Sequence, residues 1–401
     1  MPARRVLMLL SNAYDPDPRV RQEAVSLLAM GCDVRVLGWD RDSKAAPRDR
    51  IDGVEVERVF VRSTHGRGIT QVFWYVVVYF TFLWRGLRTP FDVVHCHDLD
   101  TLPVGWLLGA LKRKPVVYDA HESFADMLAD NLPAGARRAI VALENLLMRR
   151  AALVITVGDK LRRYLEDRGA RHVVVIGNWK RVDDFTRTAP QRQEIRKRLG
   201  VPPAALLVAC ITQLRPDRQL DELIGAANVD PDVYVVIAGH GVLAERVAQA
   251  ARANPRILYP GFLSGVQIAD YTCAADAIYY GFDPLNPNAR FSAPNKLYEA
   301  LAAGRPLITG DFGEIGQVVM DAGCGVVLAR YTVEDVAKAF AILKDPRIRE
   351  QFADRAAHLG RTTVNWAHAE RVLYQEYSAL LPGLHEPRHA AIALGAAPSI
   401  N

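Results

Sequence analysis

Short apolar segments of strand length alternate with longer helical segments along almost the whole chain, and this alternation restricts its fold more than any other feature. In the first half, strands are predicted at residues 5–10, 32–37, 53–61, 92–96, 115–119, 153–156 and 173–176. Strands that are joined through helices form parallel sheets with right-handed crossovers. The first half therefore predicts a doubly wound α/β domain.

The same alternation returns in the second half, with strands predicted at residues 205–211, 233–238, 277–280, 306–309 and 325–328. Between Asn178 and Pro190 the pattern lapses into polar residues, where we place an interdomain linker. We predict two Rossmann-like domains, 1–178 and 179–365, that face each other across a ligand-binding cleft. Residues 366–382 are expected to form a helix that returns to the first domain, and 385–401 a disordered tail.

Composition excludes several classes of protein. A net charge of +5 spread over 401 residues does not indicate a nucleic-acid-binding protein, although it suits an anionic ligand or membrane surface. None of the five cysteines forms a CxxC pair, so we expect neither a zinc ribbon nor a disulfide framework, and we expect a reducing cytoplasm. The apolar run from Val6 to Leu10 is too short for a signal peptide and is predicted as a strand.

One segment, from Val72 to Trp84, is apolar or aromatic at every position except Thr81. Its length falls short of the roughly 20 residues that a membrane-spanning helix needs. Two interpretations stay open. The segment is either a buried helix of a large core, or a helix at the membrane surface with Arg85 and Arg88 on anionic lipid.

The segment NARFSAPNKLYEALAAGRPLIT, residues 288–309, carries the most specific chemical signal. A helix that begins near Pro294 offers unpaired backbone N–H groups and a partial positive charge, which suit a phosphate. Lys296 adds a full charge, and Glu299 lies about one turn further on, where its carboxylate is suited to a ribose diol. The alternative is an ordinary amphipathic helix with an ion pair between these two residues.

The segment PNKLYEALAAGRPLI resembles the donor-nucleotide segment of the retaining GT-B glycosyltransferases of family 4, the group 1 glycosyltransferases. Other segments resemble that family in the same order along the chain, over about residues 5–380: DPDPRVRQEAVSLLAMGCDVRVL, DVVHCHD, VVYDAHES, LVITVGDKLRRYL, VVVIGNW, TQLRPDRQLDELIGA, VVIAGHGVL and ILYPGFLSGVQIADYTCAADAIYY. The resemblance implies a GT-B fold, with an acceptor-binding first domain and a nucleotide-sugar-binding second domain.

The resemblance assigns donor-binding roles to individual residues. Arg218 matches a cation on the donor diphosphate, and Arg215 is near enough to assist it. Lys296 matches a second position that faces the diphosphate, and Glu299 matches the carboxylate that holds the ribose. The remaining donor-binding candidates are Phe262, Leu263, Ser292, Asn295 and Leu297.

The resemblance also assigns residues of the first domain. His121, in DAHES, matches the histidine beneath the transferred sugar, and with Arg218 and Lys296 it forms the candidate catalytic set. His97 and Asp98 match positions on the acceptor side, and Asn12 and Arg19 complete the predicted acceptor-binding residues. We interpret Arg19, near the first helix, either as a contact to an anionic acceptor or as part of a helix-start charge pattern. Asp119 and Glu122 flank His121, and we interpret them either as groups that tune it or as an exposed pair.

Two features depart from the family pattern. The family often has a glutamate eight residues before the ribose glutamate, and here that position is Phe291. The first loop reads SNAYDPDP and lacks the common Gly-Gly. Both departures affect the expected contacts to the donor.

We therefore expect a hexosyltransferase that moves a sugar from a UDP- or GDP-type donor to a glycan, lipid-linked or small-molecule hydroxyl, as in polysaccharide biosynthesis. The resemblance implies retention of configuration. Two cations beside helix dipoles make a metal unnecessary, and no other cofactor is expected. We expect the enzyme in the cytoplasm, in peripheral contact with the inner membrane face. The alternatives are a nucleotide-sugar epimerase and a catalytically silent relative that binds a nucleotide sugar or glycan.

Overall fold

A computed structural model describes residues 3–15, 17–61, 68–123 and 133–387. By their contacts, these residues form two compact units. The first contains the described residues up to Gly177 and those from Ala369 onwards, and the second contains Asn178–His368. Most of the predicted tail, residues 388–401, lies outside the described residues. At its start, however, the backbone N–H of His385 donates to the carbonyl of Met30 at 3.0 Å.

The described strands of the first unit form one sheet. They are β1 (Arg4–Leu10), β2 (Cys32–Asp40), β3 (Arg48–Ile51), β4 (Val54–Phe60), β5 (Val93–His97), β6 (Val116–Ala120), β7 (Leu153–Thr156) and β8 (Val173–Val175). Their order is β3-β4-β2-β1-β5-β6-β7-β8, and all neighbours pair in parallel except β3 and β4. The buried central strands are nearly continuous apolar runs, as expected for a parallel sheet with both faces covered.

The helices of the first unit follow strands of this sheet. They are α1 (Pro18–Ala29), α2 (Gly68–Arg88), α3 (Leu102–Lys112), α4 (Ala134–Met148) and α5 (Asp159–Asp167). The start of α1 is fixed by Asp17, whose side chain accepts a hydrogen bond from the backbone N–H of Val20 at 3.2 Å, and by Pro18 in the first turn.

The second unit has a sheet of the same type. Its described strands are β9 (Leu206–Ile211), β10 (Val233–Ala238), β11 (Ile257–Leu258), β12 (Ala277–Tyr280), β13 (Leu307–Gly310) and β14 (Gly325–Leu328), in the order β11-β10-β9-β12-β13-β14. All of its neighbouring strands pair in parallel. Its core packs the apolar side chains of β9 and β10 against helices that lie beside the sheet.

The helices from here to the end of the described chain are α6 (Ala189–Arg198), α7 (Leu220–Val229), α8 (Ala244–Ala253), α9 (Gly265–Ala274), α10 (Asn295–Ala303), α11 (Gly313–Ala322), α12 (Val333–Lys344), α13 (Pro346–Thr362) and α14 (Trp366–Leu380). From Ala369 onwards α14 belongs to the first unit. There Tyr377 is fully buried, and its hydroxyl lies 2.8 Å from Nδ1 of His95.

The predicted fold class, two parallel Rossmann-like sheets, is confirmed. Two strands were not predicted, because β3 has the sequence RDRI without apolar alternation and β11 has only two residues. The predicted linker between Asn178 and Pro190 is not an open polar stretch. A 3₁₀ turn brings Phe185 against Cys273 and Ala269, and α6 begins inside the linker behind a capping box of Thr188 and Gln191.

The apolar segment from Val72 to Trp84 lies within α2, which is longer than the sequence indicated. The helix is neither wholly buried nor wholly exposed: Val78 and Phe82 are 2% and 1% exposed, whereas Phe80 is 69% exposed. Within the described ranges, no helix combines the length and the apolar character needed to cross a bilayer.

Candidate active site

In each unit, the predicted site residues follow strands next to the point where the strand order reverses. In the first sheet β1 lies between β2 and β5. Asn12 follows β1, Asp98 follows β5 and His121 follows β6. In the second sheet β9 lies between β10 and β12. Arg218 follows β9, and Ser292 follows β12. Open parallel sheets bind their ligands at such positions, beyond the carboxyl ends of the strands.

His121 lies between two carboxylates in the first unit. Its Nε2 is 2.8 Å from Oδ2 of Asp119, and its Nδ1 is 3.4 Å from Oδ2 of Asp98. Burial lowers the pKa of His121, but Asp98 and Asp119 together outweigh this and raise the pKa to about 10. The imidazole therefore carries a positive charge at neutral pH, and 20% of the side chain stays exposed.

The backbone around Asp98 helps to hold His121. Asp98 has a φ of 61°, a left-handed conformation that is uncommon for a residue other than glycine. In this conformation its N–H donates to the carbonyl of Asp119 at 2.9 Å, and its Oδ1 accepts from the N–H of His121 at 3.1 Å. The tight turn thus ties the ends of β5 and β6 together around the histidine.

Arg19 has a different role from the predicted acceptor contact. Its side chain is only 6% exposed, and its Nε and Nη2 donate to the two oxygens of Asp119 at 3.2 and 2.8 Å. Its Nη1 donates to the carbonyl of Ile176 at 2.6 Å. Because the whole guanidinium is engaged inside the first unit, Arg19 positions Asp119, and through it His121. The same contacts show that Asp119 is not part of an exposed pair.

His97, predicted on the acceptor side, is only 3% exposed and stacks on His95, with ring centroids 4.3 Å apart. Together with Glu23 and Asp119, the two histidines present ligand atoms within 4.8 Å of one another, close enough to hold a metal ion. However, Asp119 is already paired with Arg19, whose Nη2 also lies 3.3 Å from Oε1 of Glu23. We therefore assign the group to a buried ion-pair network.

Asn12 shapes the loop after β1. Its Nδ2 donates to Asp17 at 2.8 Å, and its Oδ1 accepts from the N–H of Tyr14 at 2.8 Å. These contacts join the loop to the first turn of α1. Asn12 thus holds the loop SNAYDPDP that replaces the family's Gly-Gly.

Arg218 is held in place by two aromatic residues of the second unit. Its Nη1 donates to the hydroxyl of Tyr280 at 2.7 Å, and its guanidinium carbon lies 4.5 Å from the ring centroid of Phe282. The hydroxyl of Tyr280 also forms a hydrogen bond with Ser292, another predicted donor contact. The buried Nε of Arg218 has no hydrogen-bond partner among the described residues. Arg218 is thus a positioned hydrogen-bond donor with one N–H group, at Nε, that forms no hydrogen bond among the described residues.

Arg215 lies beside Arg218 but is less constrained. Its Nη2 donates to Oδ2 of Asp217 at 2.8 Å, and its side chain is 45% exposed. The same carboxylate oxygen accepts from Nδ2 of Asn286 at 3.3 Å. Arg215 is therefore an accessible cation near Arg218, and its role beside the diphosphate stays a prediction.

Lys296 and Glu299 form the ion pair that the sequence suggested, and their side chains are only 12% and 8% exposed. A third residue, Lys180, joins them and was missed by sequence reasoning. Its Nζ donates to Oδ1 of Asn295 at 2.7 Å, and burial together with the charge of Lys296 lowers its pKa, against the opposing effect of Glu299. The start of α10 thus has two lysines and one carboxylate, of which Lys296 forms the ion pair and Lys180 bonds to Asn295, so net positive charge is left there.

Of the residues predicted around the base, Phe262 is 62% exposed and its ring centroid lies 5.4 Å from that of His240. Leu263 and Leu297 are 3% and 0% exposed. Leu263 packs against Ile211 at the end of β9. The two leucine side chains support the site from the core, so only Phe262 offers a side-chain surface to a base.

Phe291 ends a 3₁₀ turn, Pro287–Phe291, where the family often has a glutamate. Directly after it, the carbonyl of Ser292 accepts hydrogen bonds from the N–H groups of Glu314 and Ile315 at 2.9 and 3.3 Å. This turn therefore caps the first turn of α11. The position itself supplies an aromatic ring and no carboxylate.

Comparison with known families decides what kind of protein combines these two sites. The model described as "Glycosyl transferase 4-like domain" matches residues 16–179, and "Glycosyl transferases group 1" matches residues 191–359. Together the two models match most of the chain. The chain belongs to the group 1 glycosyltransferases. The two matches coincide with the two compact units, and this glycosyltransferase has the GT-B arrangement of two Rossmann-like folds in one chain.

Characterised relatives of this glycosyltransferase are distant. It is 25% identical to the D-inositol 3-phosphate glycosyltransferase of Nocardia farcinica over 337 residues, which cover 76% of this chain and 70% of that protein. It is 25% identical to a glycogen synthase of Mycobacterium tuberculosis over 311 residues, which cover 74% of this chain and 71% of that protein.

Solved structures share the fold. Sucrose-phosphate synthase from Thermosynechococcus elongatus superposes with a TM-score of 0.77 at 17% identity, over 94% of this chain and 99% of that one. Anabaena HepE in complex with UDP gives a TM-score of 0.69 at 17% identity, over 94% of this chain and 100% of that one. At such identities the likeness establishes the fold alone.

Proposed function

We propose that this enzyme transfers a hexose from a nucleoside-diphosphate donor to a hydroxyl group, with retention of configuration and without a metal ion. The observation that carries the proposal is Arg218, which Tyr280 and Phe282 hold in place, with a buried Nε that forms no hydrogen bond among the described residues and lies 4.0 Å from Oδ1 of Asp217. The same unit places Lys180 and Lys296 at a helix start. A diphosphate oxygen would give this N–H its partner. Burial without a partner would otherwise cost free energy.

The second unit supplies the chemistry that this reaction needs. Cleavage of a sugar–phosphate bond develops negative charge on the leaving diphosphate. Arg218 is held in place by Tyr280 and Phe282, so little reorganisation is required when that charge appears. Lys296 adds a second charge, and Glu299 is suited to the ribose hydroxyls. Two fixed cations and a helix N-terminus take the place that a metal ion occupies in other transferases.

The first unit supplies a charged imidazole. His121 is protonated at neutral pH because of Asp98 and Asp119, so both of its ring nitrogens carry hydrogen and are donors. The family resemblance gives this residue a place beneath the transferred sugar. We propose that His121 places a fixed positive charge beneath the transferred sugar, because its two ring nitrogens already face Asp119 and Asp98. It does not act as a general base, since its high pKa makes it a poor proton acceptor.

Relatives support a uridine donor as the first to test. Anabaena HepE has been solved with UDP and with UDP-glucose. The relative in Nocardia farcinica is a D-inositol 3-phosphate glycosyltransferase, and the relative in Mycobacterium tuberculosis is a glycogen synthase. For the acceptor we propose a hydroxyl of a glycan, a lipid-linked sugar or a small polyol, since these relatives differ in acceptor.

The test is a thermal-shift panel of UDP, GDP, ADP, TDP and CDP, each with and without magnesium. A ligand present at about 100 times its Kd stabilises the native state by about 2.7 kcal/mol, so one nucleotide should stand out. We expect a shift that is independent of magnesium and is lost in Arg218→Ala but kept in Arg252→Ala. Arg252 is a matched control, because it is exposed and paired with Glu245 in the same unit.

Turnover separates the remaining functions. With the stabilising nucleotide in hand, the corresponding nucleotide sugar should be hydrolysed slowly without an acceptor, and NMR of the first-formed sugar should show the donor's anomeric configuration. Conversion of the donor to its epimer would favour the epimerase. Nucleotide binding with neither hydrolysis nor transfer would favour a silent relative, and a shift that requires magnesium would contradict the metal-free mechanism.

A further inference from the structure

The outer surface of α2 carries a continuous apolar stripe. Val76, Phe80, Trp84 and Leu87, spaced three or four residues apart, are 45%, 69%, 55% and 43% exposed. The opposite side of the helix is packed against the first unit, as the 2% and 1% exposure of Val78 and Phe82 shows. Because one side of α2 packs against the first unit, only its other side is available to an apolar phase. The helix is therefore placed to lie on the surface of that phase and not to cross it.

Two neighbouring helices extend this stripe. α3 packs against both α2 and α4. On α3, Leu107 and Leu111 are 36% and 58% exposed, and on α4, Leu143 and Leu146 are 42% and 49% exposed. Soluble monomers rarely expose so many large apolar side chains side by side, so the patch indicates a binding surface. We call the exposed residues of α2, α3 and α4 the apolar face.

A groove of about 310 Å³ runs between α2 and α3 within this face. Its lining consists of Val76, Tyr79, Phe80, Leu83, Pro103, Val104 and Leu107. A groove with such a lining is suited to a hydrocarbon chain.

Basic residues lie at one end of the apolar face. Nζ of Lys112 donates to the carbonyl of Thr89 at 2.7 Å, so the carboxyl ends of α2 and α3 lie together. Arg88 and Arg113 are exposed at these two ends, and the guanidinium of Arg88 stacks 3.9 Å from the ring centroid of Trp84. This pairing of an indole with a guanidinium suits the boundary between acyl chains and headgroups.

The three helices expose no acid. The sequences of α2 and α3 contain neither Asp nor Glu. The single acid of α4, Glu144, is 1% exposed and is paired with Arg168 at 2.6 Å. A face that combines apolar stripes with arginines and lacks exposed carboxylates is complementary to an anionic lipid surface.

We propose that the apolar face binds the surface of an anionic bilayer, with Phe80 and Trp84 at the acyl boundary, an acyl chain in the groove, and Arg88 and Arg113 on lipid phosphates. A second copy of this chain fits the face less well, because these three helices expose no acidic side chain that would pair with the arginines of the other copy. The proposal goes beyond the transferase reaction, and its test uses neither donor nor acceptor.

The test is flotation of the full chain with vesicles of phosphatidylglycerol and phosphatidylcholine in equal amounts, and with vesicles of phosphatidylcholine alone. We expect flotation with the anionic vesicles, reduced by high salt and weak with phosphatidylcholine. The double variant Phe80→Ser/Trp84→Ser should lower the apparent affinity at least about tenfold, since two large apolar side chains no longer enter the acyl boundary. Arg88→Glu/Arg113→Glu should lower binding to the anionic vesicles.

The matched control is Val242→Ser/Leu285→Ser, which alters two apolar side chains that are 80% and 88% exposed in the second unit. It should float like the wild type. A thermal melt checks that every variant is folded. Trp84→Phe keeps the apolar face and should float normally, but it should lose part of the tryptophan quenching by brominated lipid.

Three results would overturn the proposal. The first is a folded wild-type chain that does not float with anionic vesicles. The second is flotation that Phe80→Ser/Trp84→Ser leaves unchanged. The third is a dimer, detected by sedimentation, that does not float and that the same double variant splits into monomers, which would assign the face to a second copy.

Discussion

The role of Glu299 leads to the sharpest prediction, because its carboxylate is suited to a feature of the nucleotide that chemistry can remove. Glu299 is 8% exposed in its side chain and is paired with Lys296 one turn before it. If the carboxylate accepts hydrogen bonds from the ribose diol, Glu299→Gln should weaken UDP binding. The same substitution should not weaken the binding of 2′,3′-dideoxyuridine diphosphate, since that ligand has no ribose hydroxyl to donate.

The expected magnitude follows from the type of bond. A hydrogen bond to a charged group contributes about 1.5–3 kcal/mol. The glutamine keeps a neutral acceptor that contributes about 0.5–1.5 kcal/mol, so the substitution should lose about 1–1.5 kcal/mol, or about 5- to 13-fold in the affinity for UDP. The substitution also frees Lys296 from its carboxylate, which strengthens its attraction for any diphosphate. This second effect is common to both nucleotides and cancels when the two changes in Kd are compared as a ratio.

The assay is isothermal titration of both nucleotides into the wild type and Glu299→Gln. The control is Glu245→Gln, which removes an exposed carboxylate paired with Arg252 in the same unit and should change neither Kd. A thermal melt establishes that the variants are folded. Equal losses of affinity for UDP and for the dideoxy analogue would refute the ribose assignment, because the carboxylate would then act on the phosphates or on the fold.

Three further predictions concern the other charged groups. Arg218→Ala should lower kcat about 100- to 1,000-fold, because a preorganised charge at the leaving group is lost, while the melting temperature stays within a few degrees. A fully active variant or an unfolded one would contradict this prediction. Asp119→Asn leaves the buried guanidinium of Arg19 without its carboxylate and should cost about 3–5 kcal/mol in urea unfolding, whereas Asp52→Asn, which breaks the more exposed pair with Arg21, should cost less than about 1 kcal/mol; equal costs would refute the network. Asp98 and Asp119 outweigh burial and raise the pKa of His121 from 6.5 to about 10, so its charge stabilises the native state fully below pH 6.5 and this contribution is lost as pH rises towards 10. The free energy of unfolding should therefore decline over this pH range in the wild type, and the decline should be flatter in His121→Gln. An identical slope in the two proteins would refute the assignment.

The sequence predicted what depends on local pattern. Buried parallel strands such as β7, β10 and β12 were found to the residue, because a short apolar run between helices has few other interpretations. The edge strand β3 was missed because its sequence RDRI carries no apolar alternation. The local signal for it was Asp52-Gly53, the two-residue hairpin turn with positive φ that joins β3 to β4. The fold class depends on the repeated central strands, so missing the strands β3 and β11 did not affect its prediction.

The site was predicted less completely than the fold, because some of its contacts join residues that are far apart in the sequence. Lys296 and Glu299 lie one turn apart on one helix, so spacing alone brought them together. Lys180 reaches Asn295 across 115 positions of chain, and no local pattern signals such a contact. Arg19 was expected at an acceptor, because a charged residue near a helix start is normally exposed. Its burial follows from Asp119, which is 100 positions away.

The two sites differ in how far their charges are satisfied, and this difference bears on where ligand binding releases free energy. In the first unit, Arg19, Asp119 and His121 already bond to one another, so the free energy of their pairing belongs to the fold and fixes the imidazole before any ligand arrives. In the second unit, the buried Nε of Arg218 forms no hydrogen bond among the described residues, and two lysines lie beside the single carboxylate of Glu299, so we expect an anion to complete the pairing there. Substitutions in the first network should therefore appear mainly in stability, and substitutions around Arg218 mainly in nucleotide affinity and turnover.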